Sequence, residues 1–482
     1  MSQGQVLERQ ELEKLEKSSL IELIVVMQAQ MAKQSEQIQK LSDQIAKNSR
    51  NSGKPPGSDG LKKMKTKSLR QKGERPYGGQ PGHTGDTLKM VVEADEIVNH
   101  SVTNCPHCQQ DLAEVEAIGY DKRQVFDIPP LQLAVTEHRV AIKECPGCGH
   151  EVRGKFPESV SQPTQYGERL KAQASYLNTY HFIPLARTAE LLNDFYGQAP
   201  SEAALIDANE QAANQIQPSL TAIQKQLIAA EVVNYDESGL RVEGKLQWLH
   251  VACTPELTFY QVDAKRGQVG MSAAGILDSF AGVAVHDHWA SYLAFENCQH
   301  AFCNAHHLRE LQFIFEQYQQ PWAETMAQLL RTIKREVDTS PLSATALPLD
   351  RLTYFSAEYD KLIAQGLALN PTPAQPALPK RGRPKQSPPK NLLDRLQTHK
   401  SGVLAFMADF RIPFDNNQAE RDVRMIKVKQ KVSGSFRTKT GAQTFTSIRA
   451  YISTARKQGI NAIDALYNAF LGQPFIPKST MA

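Results

Sequence analysis

The chain has 482 residues, of which 41% are hydrophobic, and its formal net charge is only +4. This length is enough for two or three domains with at least one buried core. The apolar run near the start, Leu20 to Met27, spans eight residues, far short of the roughly 20 that cross a bilayer. We therefore expect neither a membrane span nor a secretory signal. Seven cysteines, four of them in two Cys-Pro-x-Cys pairs, favour a reducing cytoplasm over a secreted disulfide framework.

The N-terminal residues 1–47 are predicted to form a coiled-coil helix that pairs protomers. Their apolar positions alternate four and three residues apart if Gln34 is counted as the one polar member. The alternative is an amphipathic helix that packs on its own chain. The helix should end near Lys47, because the following NSRNSGKPPGSDG is rich in turn residues. The seam consists of Leu20, Ile24, Met27, Met31, Ile38, Leu41 and Ile45.

Residues 48–90 are predicted to form a flexible basic arm. Between Lys47 and Arg75 there are ten Lys or Arg residues and only two acids. Such an arm can reach DNA phosphates with little sequence specificity. The alternative is a solvated linker.

Residues 91–158 are predicted to form a zinc ribbon. The pairs CPHC and CPGC supply four thiolates, which is the tetrahedral set of a structural zinc site. The 36 residues between the pairs contain strand-like runs such as LQLAVTEHRVAI. The alternative is two unrelated buried pairs. His107 and His150 are close enough to compete as ligands, but four cysteines make them dispensable. The expected zinc ligands are Cys105, Cys108, Cys145 and Cys148.

Residues 159–225 are predicted to form a helical module that could bind DNA. Gly197 and Pro200 break the helical pattern, and Ser201 is a suitable N-cap for a second helix. The resulting helix-turn-helix is compatible with DNA binding, but an ordinary helical pair is the alternative. The second helix carries three acids that phosphates would repel: Glu202, Asp207 and Glu210.

An α/β nuclease core is predicted from residue 231 onward. Three strand-like runs, a helix and a fourth strand follow one another, an order that places the first and fourth strands side by side. Asp236 then lies in the first strand and Asp287 at the end of the fourth, while Glu420 lies on a later helix. Three oxygen ligands suit Mg²⁺ or Mn²⁺. The competing acids are Glu237, Asp278, Asp415 and Asp422.

Taken together, these motifs resemble the zinc-ribbon transposases of the insertion sequence 66 family, which belong to the DDE group and have a ribonuclease-H-like fold. The matching pieces are KNSRNSGKPPGSD, the two knuckles, YDES, HDHWASY and DNNQAERDVR. The resemblance implies that Asp236, Asp287 and Glu420 are the catalytic, metal-binding triad. It also implies that Lys427, seven residues after Glu420 and on roughly the same helix face, contacts DNA. The pair His288-Trp289 departs from the family pattern and puts only local packing in doubt.

Arg421 and Arg424 also match the motif and are natural phosphate contacts. A structural salt bridge is the alternative for either. With Lys427 they form the predicted DNA-binding set.

The resemblance further implies the function of a DNA transposase from a bacterial insertion sequence. Its substrates would be the terminal inverted repeats of the element and a target DNA, cut and joined with Mg²⁺ or Mn²⁺. We expect a homo-oligomer, at least a dimer, in the cytoplasm and on the nucleoid when bound to DNA, with accessory proteins of the same element as further partners. The alternatives are a catalytically silent, transposase-derived DNA-binding regulator and a structure-selective nuclease.

The predicted fold class is therefore multi-domain α/β, with the ribonuclease-H-like core divided between residues 226–297 and 410–458. Residues 298–409 form a helical insertion, and residues 459–482 form a C-terminal helix and tail. Within the insertion, Cys303 and His306 have the spacing of metal ligands, although core packing or DNA contact is the favoured interpretation. A Pro-rich segment there contains RGRP, which resembles a minor-groove AT-hook but is better explained as a solvated linker.

Overall fold

The structure, a computed structural model, describes residues 16–52, 88–372 and 386–478. Most of the predicted basic arm and the whole RGRP segment lie outside these residues. No helix in the described ranges is long and apolar enough to cross a membrane. The chain divides into a sheet unit, Met1–Lys67 with Gln162–Leu191 and Pro200–Ala482, and a knuckle unit, Ser68–Ser161 with Leu192–Ala199.

The described residues form fifteen α-helices and seven strands, and the strands belong to two sheets. The helices are α1 (Lys17–Ala46), α2 (Glu168–Thr179), α3 (Leu185–Tyr196), α4 (Glu202–Gln215), α5 (Gln217–Ala229), α6 (Gln268–Ser272), α7 (Asn304–Tyr318), α8 (Pro321–Asp338), α9 (Leu349–Leu369), α10 (Pro388–Thr398), α11 (Lys400–Val403), α12 (Ala405–Ala408), α13 (Asn417–Ser433), α14 (Lys439–Lys457) and α15 (Ala462–Phe470). The strands are β1 (Ile142–Glu144), β2 (Glu151–Arg153), β3 (Val232–Val242), β4 (Lys245–Cys253), β5 (Thr258–Asp263), β6 (Val283–His286) and β7 (Gln299–Phe302).

Five strands form the central sheet in the order β5-β4-β3-β6-β7. The first three make an antiparallel meander, and β6 and β7 add to β3 in parallel. The β3–β4 turn has only two residues, Glu243 at φ 53° and Gly244 at φ 73°. Two positive φ values in a two-residue loop match the twist of a hairpin. The predicted adjacency of the first and fourth strands is confirmed.

The sheet is covered by helices that come from distant parts of the sequence. Helix α13 packs on β3 and β4, and α14 packs on β5. Val233, Leu249 and Ile426 are fully buried in this core. The helices therefore exclude water from the sheet, in which β5 alternates buried and partly exposed residues and β4 ends in a run of buried ones.

Helices α7 to α12, which lie between β7 and α13 in the sequence, share a second hydrophobic core. In α8 the buried Trp322, Met326, Leu330 and Ile333 recur at helical spacing. Helix α11 approaches the sheet closely at Gly402, where a Cβ atom would lie 2.4 Å from the backbone oxygen of His300. Glycine is required there because any side chain would displace β7.

Helix α1 ends at Ala46 with Lys47 as its C-cap, as the sequence predicts. Its C-terminal part makes hydrogen bonds with α7. Tyr318 donates to Asp43 at 2.6 Å and Gln317 donates to Ser42 at 2.9 Å. Seam residues nearer the N-terminus of the helix are exposed, with Met31 at 65% and Ile38 at 68%.

Two local predictions are wrong. The alternating run LQLAVTEHRVAI was predicted to form strand, yet only its last residue, Ile142, belongs to one. Within the described residues, no strand pairs with residues 131–141. Alternating apolar and polar residues do not form a strand without a partner for their backbone hydrogen bonds. Residues 299–302, assigned by sequence to the insertion, form β7 of the sheet. Four residues are too few for a periodic pattern to be recognised.

Candidate active site

The parallel pairing of β3 with β6 aligns Asp236 with Asp287. Val232 faces Val283 and Asn234 faces Val285, a constant offset of 51 residues. Continued beyond the last paired residue, the same register places Asp236 opposite Asp287, directly after the end of β6. Both aspartates are held by backbone amides, because Asp236 accepts from Glu237 at 2.8 Å and Asp287 accepts from Trp289 at 3.0 Å.

Glu420 lies in the first turn of α13, which packs against β3. Asn416, the N-cap residue directly before α13, is 1% exposed and fixes where this helix begins. Its amide donates to the Tyr235 carbonyl at 2.7 Å and accepts from Asn234 at 2.8 Å. Asn416 therefore ties the start of α13 to the strand residues that immediately precede Asp236.

Negative charge accumulates around Asp236. Burial raises the pKa of its carboxyl well above the usual range, and the neighbouring Glu237, Asp287 and Glu420 raise it further. Two of these neighbours are the predicted partners of Asp236. Like charges gathered in a partly buried site favour a bound cation, so the donor set fits a hard divalent metal ion.

Glu237 is also buried, with its side chain 1% exposed, but it already has partners. It accepts from Arg266 at 2.8 Å and from the Tyr292 hydroxyl at 2.7 Å. The Arg266 guanidinium lies over the rings of Trp248 and Trp289, at 4.9 and 4.1 Å. Glu237 is therefore neutralised by Arg266, which leaves Asp236 as the acid of this strand available to a metal.

The carboxylate of Glu420 faces several other groups. One oxygen, Oε2, accepts from Arg424 at 2.8 Å. The other, Oε1, is buried and has no hydrogen-bond partner. It lies 3.8 Å from His306 Nδ1 and 3.9 Å from Arg309 Nη2, too far for direct hydrogen bonds.

Among the residues that the structure describes, one group of three potential ligands lies within 4.8 Å of one another: Cys303, His306 and Glu420. The carboxylates of Asp236, Asp287 and Glu420 share a region but do not meet this distance. Nor do the four knuckle cysteines. Glu420 thus lies beside the Cys303-His306 pair and is close enough to Asp236 to raise its pKa.

His288 redirects the chain immediately after Asp287. It is buried in a left-handed conformation at φ 69°, which is uncommon for a residue other than glycine. Its ring stacks on Phe302 at 3.9 Å and makes a 3.1 Å hydrogen bond to His307. Burial lowers its pKa to about 3, so a neutral imidazole fills the place where the sequence departs from the family pattern.

In the knuckle unit, the two cysteine pairs form matching turns. The backbone carbonyl of Cys105 accepts from the amide of Gln109 at 2.9 Å, and that of Cys145 accepts from the amide of Gly149 at 2.8 Å. Gln109 and Gly149 both have positive φ, at 64° and 70°. Hydrogen bonds to sulfur, from backbone amides and from the other thiol of the pair, lower the pKa of the Cys105 and Cys145 thiols. Turns that favour thiolates suit zinc.

Family profiles match both the candidate active site and the cysteine knuckles. The profile of the Transposase IS66 family matches residues 163–444, more than half of the chain and the whole candidate site. The chain belongs to the IS66 family of transposases. The zinc-finger binding domain of transposase IS66 matches residues 103–149, which supports a structural zinc at the knuckles of this transposase.

Three other results complete the comparisons. A family of unknown function, DUF6444, matches residues 7–89 of the transposase. Among solved structures, the Drosophila P element transposase strand transfer complex aligns at 10% identity with a TM-score of 0.33. That alignment covers 64% of this chain and 95% of the other. Curated proteins gave no match.

The three basic residues predicted to touch DNA lie along α13 of the transposase. Lys427 is exposed and donates to the carbonyl of Gly239 on β3, and burial of part of its side chain lowers its pKa. Arg421 donates to Gln418 at 2.8 Å, and Arg424 pairs with Glu420. All three are exposed.

The competing acids have other contacts. Asp415 accepts from the amide of Asn417 at 3.0 Å, and Asp278 accepts from Ser272 at 2.9 Å. Asp422 forms a 2.7 Å ion pair with Lys457 and ties α13 to α14. Each of these acids therefore already has a partner within the protein. Glu420 remains the predicted metal ligand of α13.

Sequence reasoning missed several residues around the site of the transposase. Asn234 and Arg309 carry no motif signal, because their partners lie far away in the chain. Glu237 was recognised only as a competitor of Asp236, although its pairing with Arg266 separates their roles. The CxxH spacing of Cys303 and His306 was noticed, but nothing in the sequence indicated that Glu420 lies beside them.

Proposed function

We propose that this transposase cuts and joins DNA with divalent metal ions held by Asp236, Asp287 and Glu420. The observation that carries the proposal is the 51-residue offset between paired residues of β3 and β6, which aligns the two aspartates where β6 ends. Glu420 adds a third carboxylate from α13. The raised pKa of Asp236 indicates that these charges interact in the absence of a cation.

When bound, Mg²⁺ or Mn²⁺ would activate the attacking oxygen and stabilise the leaving oxygen. The residues of the chain hold and orient the reactants. Asp236 and Asp287 present oxygens fixed by backbone amides, and Asn416 sets the position of Glu420. Arg424, which pairs with Glu420 and is largely exposed, is free to turn toward a phosphate once a cation neutralises the carboxylate.

We further propose a ribonuclease-H-like fold for the core. Three antiparallel strands followed by two parallel ones, with a helix carrying the last acid, agree with that assignment. The division into two core segments separated by a helical insertion follows from the family resemblance, with the first segment extended beyond residue 297 to include β7. The separate hydrophobic core of α7 to α12 supports it.

The remaining modules are proposed to recognise the ends of a bacterial insertion sequence. The zinc ribbon and the basic arm would contact terminal-repeat DNA, with α13 presenting Lys427, Arg421 and Arg424 to the phosphates. The exposed apolar seam of α1 would pair two copies as a coiled coil. A homodimer acting in the cytoplasm could then hold both element ends together.

The test is magnesium-dependent nicking and strand transfer on terminal-repeat DNA. Asp236→Asn should lower both activities by about a thousandfold or more, because metal-assisted catalysis supplies several kcal/mol. Asp278→Asn, which alters an exposed acid of the same unit, should retain both. Full cleavage by Asp236→Asn would refute the proposal.

The same assay separates the alternatives. A transposase-derived regulator would bind terminal repeats without cutting them. A structure-selective nuclease would hydrolyse branched DNA but would not join ends.

A further inference from the structure

We infer that Cys303, His306 and Glu420 form a second metal site, selective for a thiophilic divalent cation such as Zn²⁺. The ligand atoms of these residues lie within 4.8 Å of one another. The site is distinct in chemistry from the carboxylate triad, because it contains sulfur and nitrogen donors. It shares one residue, Glu420, with that triad.

The local structure presents the first two donors together. Cys303 is the N-cap of α7 and His306 lies in its first turn, so the CxxH spacing directs both toward one side of the helix end. The backbone amide of Asn416 donates to Cys303 Sγ at 3.2 Å. A donor of this kind orients a ligand. Burial still raises the pKa of the Cys303 thiol, more than the amide lowers it, so a metal ion would have to displace the thiol proton to bind.

The third donor comes from α13, and two buried atoms here have no partner. His306 Nδ1 and Glu420 Oε1 are both buried without a hydrogen bond, and they lie 3.8 Å apart. Two ligands on one tetrahedral zinc are separated by about 3.4 Å, given bond lengths near 2.1 Å. A small side-chain movement would let one cation satisfy both atoms.

The donor set selects the metal. Thiolate and imidazole favour Zn²⁺ over Mg²⁺, which prefers oxygen ligands. Three protein ligands leave the fourth position of a zinc ion open. Arg309 and Arg424 also approach Glu420, and the binding of a cation would displace Arg424, whose side chain is 68% exposed.

Sharing Glu420 has a functional consequence that rests on the proposed triad. An ion bound to Cys303 and His306 would hold the Glu420 carboxylate away from Asp236 and Asp287. Zinc in this site and magnesium in the active site would then exclude each other. Zinc should therefore inhibit cleavage by withdrawing Glu420 from the magnesium site.

The binding test uses the full-length chain loaded with one equivalent of Zn²⁺ to fill the ribbon, followed by titration with Co²⁺. We expect one further equivalent of Co²⁺ to bind with a thiolate-to-cobalt absorption band. Cys303→Ser should remove the band, and His306→Gln should weaken binding by about tenfold or more. The control Cys298→Ser changes another buried thiol of the same unit and should keep the band.

Cys303→Ser should fold, because serine is a preferred N-cap residue, and thermal unfolding checks this. If that variant is destabilised, Glu420→Gln and His306→Gln decide instead. Absence of the band from the wild-type chain, or its persistence in Cys303→Ser, would overturn the site.

The second measurement is inhibition of magnesium-dependent cleavage by added Zn²⁺. Wild type and Cys298→Ser should be inhibited, whereas Cys303→Ser should keep the activity that it shows without zinc. Equal inhibition of all three would refute mutual exclusion. A wild-type chain that binds Co²⁺ but never cleaves DNA would instead contradict the proposed catalytic function and leave the second site standing.

Discussion

In residues 88–161 of the knuckle unit most large apolar side chains are exposed to water, whereas many of those in the sheet unit lie in a core. Val125 is 93% exposed and Ile128 75% exposed, while Val233 and Leu249 are fully buried. The strands β1 and β2 of the knuckle unit have three residues each, and all of these are exposed. Hydrophobic burial cannot stabilise such a segment, so its structure must depend on another source of free energy.

On the proposed assignments, the two regions would use metal ions for different purposes. Zinc at the knuckles would supply folding free energy, since a region without a core folds when its thiolates bind metal. The proposed active site is positioned by a sheet that is already packed. Removal of zinc should therefore unfold the knuckles, whereas removal of the divalent metal from the proposed active site should abolish cleavage and leave the sheet folded.

Loss of the knuckle zinc is the strongest test of this contrast. Cys145→Ser should weaken binding to terminal-repeat DNA by about a hundredfold or more, because the folding of the ribbon depends on its metal. Thermal unfolding of the sheet unit should be unchanged. His107→Ser, which changes an exposed residue between two cysteines, should bind normally. Normal end binding by Cys145→Ser would show that the ribbon folds without zinc or does not contact DNA.

Asn416→Ala tests whether packing positions the active site. It removes the links to Asn234 and Tyr235 and should destabilise the chain by about 1–3 kcal/mol, because a buried carbonyl loses its partner. We expect kcat for cleavage to fall by about 10-fold to 100-fold, with DNA affinity unchanged. Asn417→Ala, at the exposed neighbouring position, should leave both quantities unaltered. A loss of DNA affinity equal to the loss of kcat would argue against a positioning role.

Lys427→Met should have a smaller effect. If the amine contacts a phosphate, strand transfer should fall by less than about tenfold, and the slope of log affinity against log salt should decrease by about one. Lys431→Met, at an exposed position one helical turn later, is the matched control. An unchanged salt slope with lower thermal stability would assign Lys427 to its contact with Gly239 alone.

The smallest expected effect is a change of stability with pH. The folded state raises the pKa of Asp236, so the ionised carboxylate destabilises the fold at neutral pH. Without divalent metal, Asp236→Asn should therefore unfold at a higher temperature than wild type near pH 7. The gain should shrink as pH falls through the raised pKa, where the wild-type carboxyl becomes neutral. A variant that is less stable at pH 7 would contradict the charge repulsion.

Much of the sheet could be predicted from sequence because its signals are local. Alternating apolar residues and the Glu243-Gly244 turn specify the hairpin, and the end of α1 at Ala46 follows from the breakers after it. The positions of Asp236 and Asp287 at adjacent strands follow from the same pattern. These features depend on residues that are close together in the chain.

The surroundings of Glu420 could not be predicted because they depend on long-range packing. The amide of Asn416 meets the sulfur of Cys303 across 113 residues of sequence. The strand predicted for residues 131–141 is wrong for the opposite reason. The local alternating pattern is present, but within the described residues no neighbouring strand pairs with it. Local periodicity specifies an element but does not specify its partners.

The division of the proposed site along the chain also determines when it becomes complete during synthesis. A ribosome makes Asp236 and Asp287 long before α13, and the intervening helices form their own core as the chain emerges. The sheet is closed later still, by α14 and by contacts such as Ser219 with the carbonyl of Phe475 at 2.6 Å. A nascent or prematurely terminated polypeptide would therefore lack both the third carboxylate and the packed scaffold. On the proposed mechanism, host DNA is exposed to cutting only by chains whose translation has passed these late helices.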